Sequence, residues 1–378
     1  MKIPFNKPFT IGAELENIAR AVAEGQLSGD GLYTKRCHRW LEERLGCKKA
    51  LLTHSCTAAL EMAAILADIG PGDEIIMPSY TFVSTANAFV LRGGEPVFVD
   101  IRPDTLNLDE RLIEAAVTPA TRAIVPVHYA GVPCEMDAIM AIAADRKLLV
   151  IEDAAQAILS DYRGRRPGAI GHLGCLSFHE TKNVISGEGG ALLVNEAALA
   201  ARAEVIREKG TNRSQFFRGE VDKYTWVDIG SSFLPSELVG AFLCAQLEHA
   251  DAIMATRKRL CAAYRHGLGE LERAGLLRLP QPDPSGTASN GHMFYILLDD
   301  LAGRTALIRH LKPRGIHAVF HYVPLHSSPA GMKFGRAASA MPVTDDVAGL
   351  LLRLPLYYDL TDDEVAGIAA EIVAFFGA

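Results

Sequence analysis

Residues 173–194, LGCLSFHETKNVISGEGGALLV, set one lysine, Lys182, on a polar segment between two short apolar runs. Leu173–Phe178 and Ala191–Val194 have the length and composition of buried strands, and Gly187, Gly189 and Gly190 allow a tight return between them. Upstream, the run Leu148–Ile151 ends in Glu152 and Asp153, with Gln156 three residues further on. Apolar runs at Ala50–Leu52, Glu74–Met77, Pro96–Val99 and Ala123–Val127 alternate with helical spacing at Ser84–Arg92, Glu135–Arg146 and Ala197–Glu208. This alternation predicts an α/β fold with a large, mostly parallel sheet and helices on both of its faces.

Beyond this core, Ala13–Glu24 and Thr34–Leu45 have helical spacing, and residues 1–12 read as extended. Residues 210–232 are polar and aromatic without a clear period, the kind of long irregular segment that tends to carry function. From Glu237 a helical pattern runs towards Leu271 and predicts one long helix leading into a smaller α+β domain. That domain is expected to hold strands at Met293–Leu298 and Ala318–Tyr322 and helices at Thr305–Lys312 and Asp362–Phe376. The expected division is 1–245 for the large domain with its N-terminal segment and 246–378 for the small one.

Composition narrows the function classes. The 378 residues are 49% apolar with a net charge of −7, and the basic residues do not cluster, which argues against a nucleic-acid partner. Seven scattered cysteines with no C-x-x-C pair predict reduced thiols. The N-terminal stretch has no apolar core of a signal peptide and no run reaches membrane-spanning length, so a soluble cytoplasmic chain without a membrane partner is expected. The motifs G-x-G-x-x-G opening a helix, G-x-x-x-x-G-K-[ST], H-E-x-x-H and G-x-S-x-G are missing. His317, His321 and His326 lack carboxylates at ligand spacing, so no metal is expected.

The residues that remain point to pyridoxal 5'-phosphate. A lysine amine drawn partly out of water has a lowered pKa and can hold the aldehyde of that cofactor as an imine, and an acid such as Asp153 can keep the pyridine nitrogen protonated. Ligands of parallel α/β sheets bind beyond the carboxyl ends of the strands, which is where Lys182 and Asp153 are expected. Ser55, Cys56 and Thr57 open a helix after a strand and offer unpaired backbone N–H groups and hydroxyls to a phosphate, with the Ser177 hydroxyl as a further donor. Gln156 is placed to meet the ring oxygen, and either Tyr80 or Phe82 to stack on the ring.

Taken in order, THSCTAAL, PSYTFVSTANA, VFVDI, VPVHYAG, IEDAAQ, SFHETKN, GEGGALL and YVPLH resemble the pyridoxal-phosphate aminotransferases of nucleotide sugars, the DegT family, over residues 27–326. The resemblance implies the aspartate-aminotransferase fold, fold type I. It also implies Lys182 as the internal aldimine lysine, Asp153 on the pyridine nitrogen, Gln156 on the ring oxygen, Thr57 and Ser177 on the phosphate, and Phe82 on the ring. Residues 207–232 resemble the branch that makes dTDP-4-amino-4,6-dideoxygalactose from dTDP-4-keto-6-deoxyglucose with L-glutamate as donor, for bacterial surface polysaccharide. The family forms homodimers with shared active sites, in which many members extend an asparagine of a G-Y-N-x-R motif to the second subunit's phosphate. Here the segment reads Gly230-Ser231-Ser232, so Ser232 takes that place. Arg213, Tyr224, His321 and His326 are candidates for the sugar pocket. Related dehydratases resemble the chain as well, but carry histidine where Lys182 stands, and a regulator that kept only the fold would have no need of Lys182, Asp153 and Ser177 together.

Overall fold

The computed structural model describes residues 2–377. Helices α1 (Ala13–Glu24) and α2 (Leu32–Leu45) precede an alternating run of β1 (Lys49–Thr53), α3 (Cys56–Leu66), β2 (Glu74–Pro78), α4 (Val83–Val90) and β3 (Glu95–Val99). It continues through α5 (Ile113–Ala116), β4 (Thr121–Ile124), α6 (Met136–Arg146), β5 (Leu149–Asp153), the short β6 (Asp161–Tyr162), β7 (Leu173–Ser177) and β8 (Gly190–Val194). Next come α7 (Ala197–Arg207), α8 (Arg213–Phe217), α9 (Glu237–Glu248) and α10 (Ala250–Arg273). The C-terminal part contains β9 (Thr287–Ala288), β10 (Tyr295–Leu297), α11 (Leu301–Leu311), α12 (Pro329–Phe334), β11 (Arg336–Ala337), α13 (Pro342–Leu350), β12 (Leu351–Arg353) and α14 (Asp362–Phe376).

Eight strands form one sheet in the order β1-β8-β7-β5-β4-β2-β3-β11. All run parallel except β8, which is antiparallel to β1 and β7. The reversal follows the connection between β7 and β8, in which residues 178–189 form no crossover helix and fold back on themselves, Phe178 N donating to Gly189 O and Glu180 N to Gly187 O. Residues alternate between two helical layers. Leu51, Cys175 and Leu192 pack with the alanine-rich α3, while Leu52, Leu176 and Leu193 pack with residues of α2 and α9. Strands covered on both faces are apolar throughout, and every residue of β7 and β8 is buried.

Three expectations change. The pattern from Glu237 to Leu271 is two helices, α9 and α10, bent by 60° at His249, because α9 packs against α1 and α2 while α10 leaves the large core after Met254 and enters the small-domain core at Leu260. Residues 318–322 form no strand: Val319 bridges Arg353 and Phe320 is exposed, and the partner of β10 is β12. The irregular segment after Lys209 contains α8. Two residues of the C-terminal part, β11, also extend the large sheet beside β3. Among the described residues no single helix is long and apolar enough to cross a membrane, and all seven cysteines are free.

Candidate active site

Lys182 lies on the loop between β7 and β8, a loop fixed by its own backbone. Phe178 N donates to Gly189 O (2.8 Å), Ser186 N to Phe178 O (2.7 Å), Glu180 N to Gly187 O (2.8 Å) and Lys182 N to His179 O (2.9 Å). Gly187 takes a φ of 79°, a left-handed value that glycine adopts at no steric cost. The next residue, Asn183, ties the loop to the small domain, its Oδ1 2.9 Å from His292 Nδ1 and its Nδ2 donating to Asn290 O (3.2 Å). Lys182 itself is half-buried, and among the described residues its amine has neither a hydrogen bond nor an ion pair. Loss of water lowers its pKa, against the opposing pull of Cys56 and Asp153. The three groups therefore share one enclosure at the carboxyl ends of β5 and β7, where Asp153 pairs with Cys175 in register.

The two acids that end β5 part company, as alternation along a strand requires. Glu152 is wholly buried on one face, 2.9 Å from His128 Nε2, and accepts from the amides of Gly168 (2.8 Å), Ile170 (2.8 Å) and Gly171 (2.5 Å). Its work is structural. Asp153, 6% exposed, turns towards Lys182 and accepts from Thr85 Oγ1 (2.7 Å) and Ala155 N (3.1 Å). Thr85 is on the first turn of α4, three residues after Phe82, so one helical turn carries both the acid's partner and the candidate stacking ring. Phe82 is 56% exposed, whereas Tyr80 is buried against Tyr129 and Tyr322, so Phe82 is the accessible ring of the two.

Gln156 is locked by two bonds: its Oε1 accepts from Ala130 N (2.7 Å) and its Nε2 donates to Tyr322 OH (2.8 Å). Tyr322 stacks on His321, ring centroids 3.6 Å apart, and His321 Nδ1 lies 2.7 Å from Tyr129 OH. Burial, with Arg353 and Lys182 adding to it, holds the His321 pKa well below the usual range, so the ring is neutral. His326 faces Ser79 Oγ at 2.7 Å and Asp345 at 3.4 Å, an anchor for its loop.

The start of α3 forms the third side. Ser55 caps the helix, its Oγ accepting from Ala58 N (3.1 Å), and Thr57 Oγ1 donates to Ser84 Oγ (2.8 Å), while the amides of Cys56 and Thr57 have no acceptor among the described residues. Cys56 is driven well above the usual thiol pKa by burial, so it stays protonated. Ser177 is buried on the last residue of β7, beside this helix start. The close approach depends on Gly190, where a methyl would come within 2.5 Å of the Cys56 amide nitrogen. Gly190→Ala is expected to cost about 1–3 kcal/mol through that clash, seen as a lower midpoint of urea unfolding, and to weaken binding of inorganic phosphate at the α3 start.

Other candidates are placed elsewhere. Arg213 lies over the Phe217 ring (5.1 Å), Tyr224 packs on Phe216 (5.7 Å), and Ser232 is exposed with its backbone bridged to Glu208. No contact joins these three to the Lys182 enclosure among the described residues. They belong to a surface rich in exposed apolar groups, including Trp226 (79% exposed) and Phe217. Thr85, Tyr322, His292 and Arg353 border the enclosure without having been singled out from sequence. For Arg353 a signal exists, a single charge within the apolar run LLRLPL.

With this geometry, the family comparison is decisive: a model of the DegT/DnrJ/EryC1/StrS aminotransferases matches residues 10–373. The chain belongs to that family. It is 33% identical over 371 residues to the spore coat polysaccharide biosynthesis protein SpsC of Bacillus subtilis, covering 96% of this chain and 94% of SpsC. Among solved structures it is similar to the aminotransferase TlmJ of Streptoalloteichus hindustanus, at 30% identity and a TM-score of 0.92 over 100% of this chain and 99% of TlmJ. It is also similar to DesV of S. venezuelae, at 31% identity and a TM-score of 0.87 over 99% and 98% of the two chains. The fold is thus that of the type I pyridoxal-phosphate enzymes, and the activity class is sugar aminotransferase. Family members use pyridoxal phosphate, and the residues present fit that group: an amine without a partner, an acid opposite it and a helix start with free amides.

Proposed function

We propose that this chain is a pyridoxal-phosphate-dependent aminotransferase that moves the amino group of L-glutamate onto the 4-keto carbon of a nucleotide-linked 6-deoxy sugar. The substrate in this reading is dTDP-4-keto-6-deoxyglucose and the product dTDP-4-amino-4,6-dideoxygalactose. The observation that carries it is the unpartnered amine of Lys182, set between the Asp153 carboxylate and the free amides of Cys56 and Thr57. The similarity to a polysaccharide biosynthesis protein supports a product destined for a surface polysaccharide.

When bound, the cofactor supplies an electron sink and carries the amine between the two half-reactions. Lys182 Nζ would hold it and, once released, would move a proton between the substrate carbon and the cofactor carbon in each half-reaction. Asp153, kept in place by Thr85 and Ala155, would hold a positive charge on the ring nitrogen. Gln156 would meet the ring oxygen, Phe82 would cover the ring, and Ser55, Cys56, Thr57 and Ser177 would hold the phosphate. Tyr322, His321 and Tyr129 pack into one aromatic wall, which would limit water beside the bound group. In the dimer we infer, the exposed apolar surface around Trp226 meets a second copy, and Ser232, Arg213 and Tyr224 serve the neighbouring site.

The test is spectroscopic. Adding L-glutamate to the cofactor-loaded protein is expected to replace the imine absorption by that of the pyridoxamine form, and adding the keto sugar to restore it. An unchanged spectrum with glutamate contradicts the donor. A panel of dTDP- and UDP-linked keto sugars then reads the acceptor, a C3 product contradicting the C4 assignment.

A further inference from the structure

A cavity of about 460 Å³ opens between the two domains, to one side of the Lys182 enclosure. Helix α10 contributes Lys258, Cys261, Ala262 and Arg265, spaced i, i+3, i+4 and i+7 and so on one face of that helix. The large domain adds Ala130 and Val132, and the segment leading into β10 adds Pro280, Met293 and Tyr295. Of the described residues, Lys182, Asp153, Gln156, Phe82 and Tyr322 do not line it. Pockets of about 300–1,000 Å³ enclose drug-sized molecules, and an inorganic ion would fill only a small part of this one.

The polar groups of this cavity are short of partners. Tyr295 is 4% exposed and packs with Tyr80 and Tyr129, and its hydroxyl makes no hydrogen bond among the described residues. Burial raises its pKa against the opposing pull of Arg265, so the phenol keeps its proton and can donate. A buried hydroxyl without an acceptor costs stability, and an entering acceptor removes that cost. Arg265 is fixed by one bond, Nη2 to Pro280 O (2.6 Å), which leaves Nε and Nη1 to bind elsewhere. Neither Arg265 nor the exposed Lys258 has an ion pair among the described residues. The acids present do not answer them: the two oxygens of Asp104 are held by Arg102 at 2.9 and 2.8 Å, and the exposed Asp283 accepts from Ser289 N (2.8 Å) and Oγ (3.1 Å).

We propose that this cavity is a second ligand site, for an organic phosphate monoester whose phosphate meets Arg265, Lys258 and the Tyr295 hydroxyl and whose ring-sized body lies against Val132, Pro280 and Met293. Two cations and a phenol call for a dianion, and a lone carboxylate would answer only one of the cations. Lys258 and Arg265 are about 10 Å apart along the helix axis, and the small Cys261 and Ala262 between them leave room for both long side chains to lean over one group. Burial pushes the Cys261 thiol up to about 11, so it is a neutral part of the wall. The site stands apart from the donor and sugar assignments above, yet it backs onto Gln156. The wall residue Ala130 donates its amide to Gln156 Oε1 (2.7 Å), and Asn290, between the wall residues Ser289 and Gly291, donates Nδ2 to Gln156 O (2.9 Å). An occupant therefore joins the two domains next to the residue placed on the ring oxygen.

The experiment is calorimetric titration with phenyl phosphate of protein saturated with pyridoxal phosphate, so that the cradle at the start of α3 is filled. Phenyl phosphate is expected to bind with a Kd of about 1 mM or tighter, and phenol and inorganic phosphate at least about tenfold more weakly, since each supplies only part of the match. Arg265→Gln is expected to raise the Kd about tenfold or more, and Tyr295→Phe, which keeps the ring and removes only the hydroxyl, about 3- to 10-fold. Urea unfolding of Tyr295→Phe at the wild-type midpoint separates this loss from damage to the fold. Arg353→Met, which removes the cation bordering the Lys182 enclosure, leaves the Kd unchanged. Binding absent up to about 10 mM overturns the proposal, as does a Kd unchanged in both Arg265→Gln and Tyr295→Phe. Inorganic phosphate binding as tightly as phenyl phosphate overturns it too, and so does a loss confined to Arg353→Met, which would place the probe in the enclosure.

Discussion

Lys182→Ala is expected to lower amino transfer by about 10⁴-fold or more, since one side chain supplies both the covalent hold and the proton transfer. The expectation rests on geometry. The amine has no partner within the described residues, and the loop that carries it is pinned by four backbone bonds and by Asn183. Removing the side chain leaves those bonds intact, so the variant keeps the wild-type unfolding midpoint to within about 1 kcal/mol, as surface-like truncations do. Lys182→Arg, which retains a cation but cannot condense with an aldehyde, loses as much. Steady-state rates and urea unfolding on the same preparations check both halves, and turnover above about 1% of wild type in either variant would contradict the assignment, given the size of the expected loss.

Asp153→Asn carries the second largest effect, a fall of about 10²- to 10³-fold in turnover, from removing the charge that faces a buried cation. The substitution is nearly isosteric: Thr85 Oγ1 and the Ala155 amide donate to different carboxylate oxygens, so the asparagine oxygen can keep the Ala155 bond while its amide donates to Thr85 Oγ1. Lys182 should therefore still capture the cofactor, and the loss should fall on proton removal from the donor. A deuterium label at the donor's α-carbon reads this directly: the isotope effect on the half-reaction grows in Asp153→Asn as that transfer becomes rate-limiting. Turnover within tenfold of wild type would show that the acid does not tune the ring. The equivalent change at the adjacent acid, Glu152, acts differently, because its carboxylate holds His128 and three amides, and it reads out in stability.

What could be read in the chain beforehand was what is local. Lys182 stands out because a polar segment between two buried strands has no packing reason for a lone amine, and the cradle at Ser55–Thr57 is visible as small hydroxylic residues at a strand-to-helix junction. Asp153 is equally plain at the end of its strand. Its partner Thr85 is not, since 68 residues separate the two and the bond exists only once α4 docks against β5. The choice of Phe82 over Tyr80 likewise depends on which ring the tyrosine cluster absorbs. The bend at His249 escapes a periodicity argument because the apolar pattern continues across it while the buried face changes partner from one core to the other. β11 is two residues long and is a strand only through its pairing with β3. Arg353 differs again: its isolation in an apolar run is visible, but that it lacks an acid partner is a property of the assembled domains.

The account stands or falls on where the cofactor attaches. Borohydride reduction of the protein incubated with pyridoxal phosphate, followed by proteolysis and mass spectrometry, locates the lysine that formed the imine. The expected result is one reduced adduct, on the peptide containing Lys182, and its disappearance in Lys182→Ala. An adduct on another lysine, or none under conditions where the protein is folded, would contradict it.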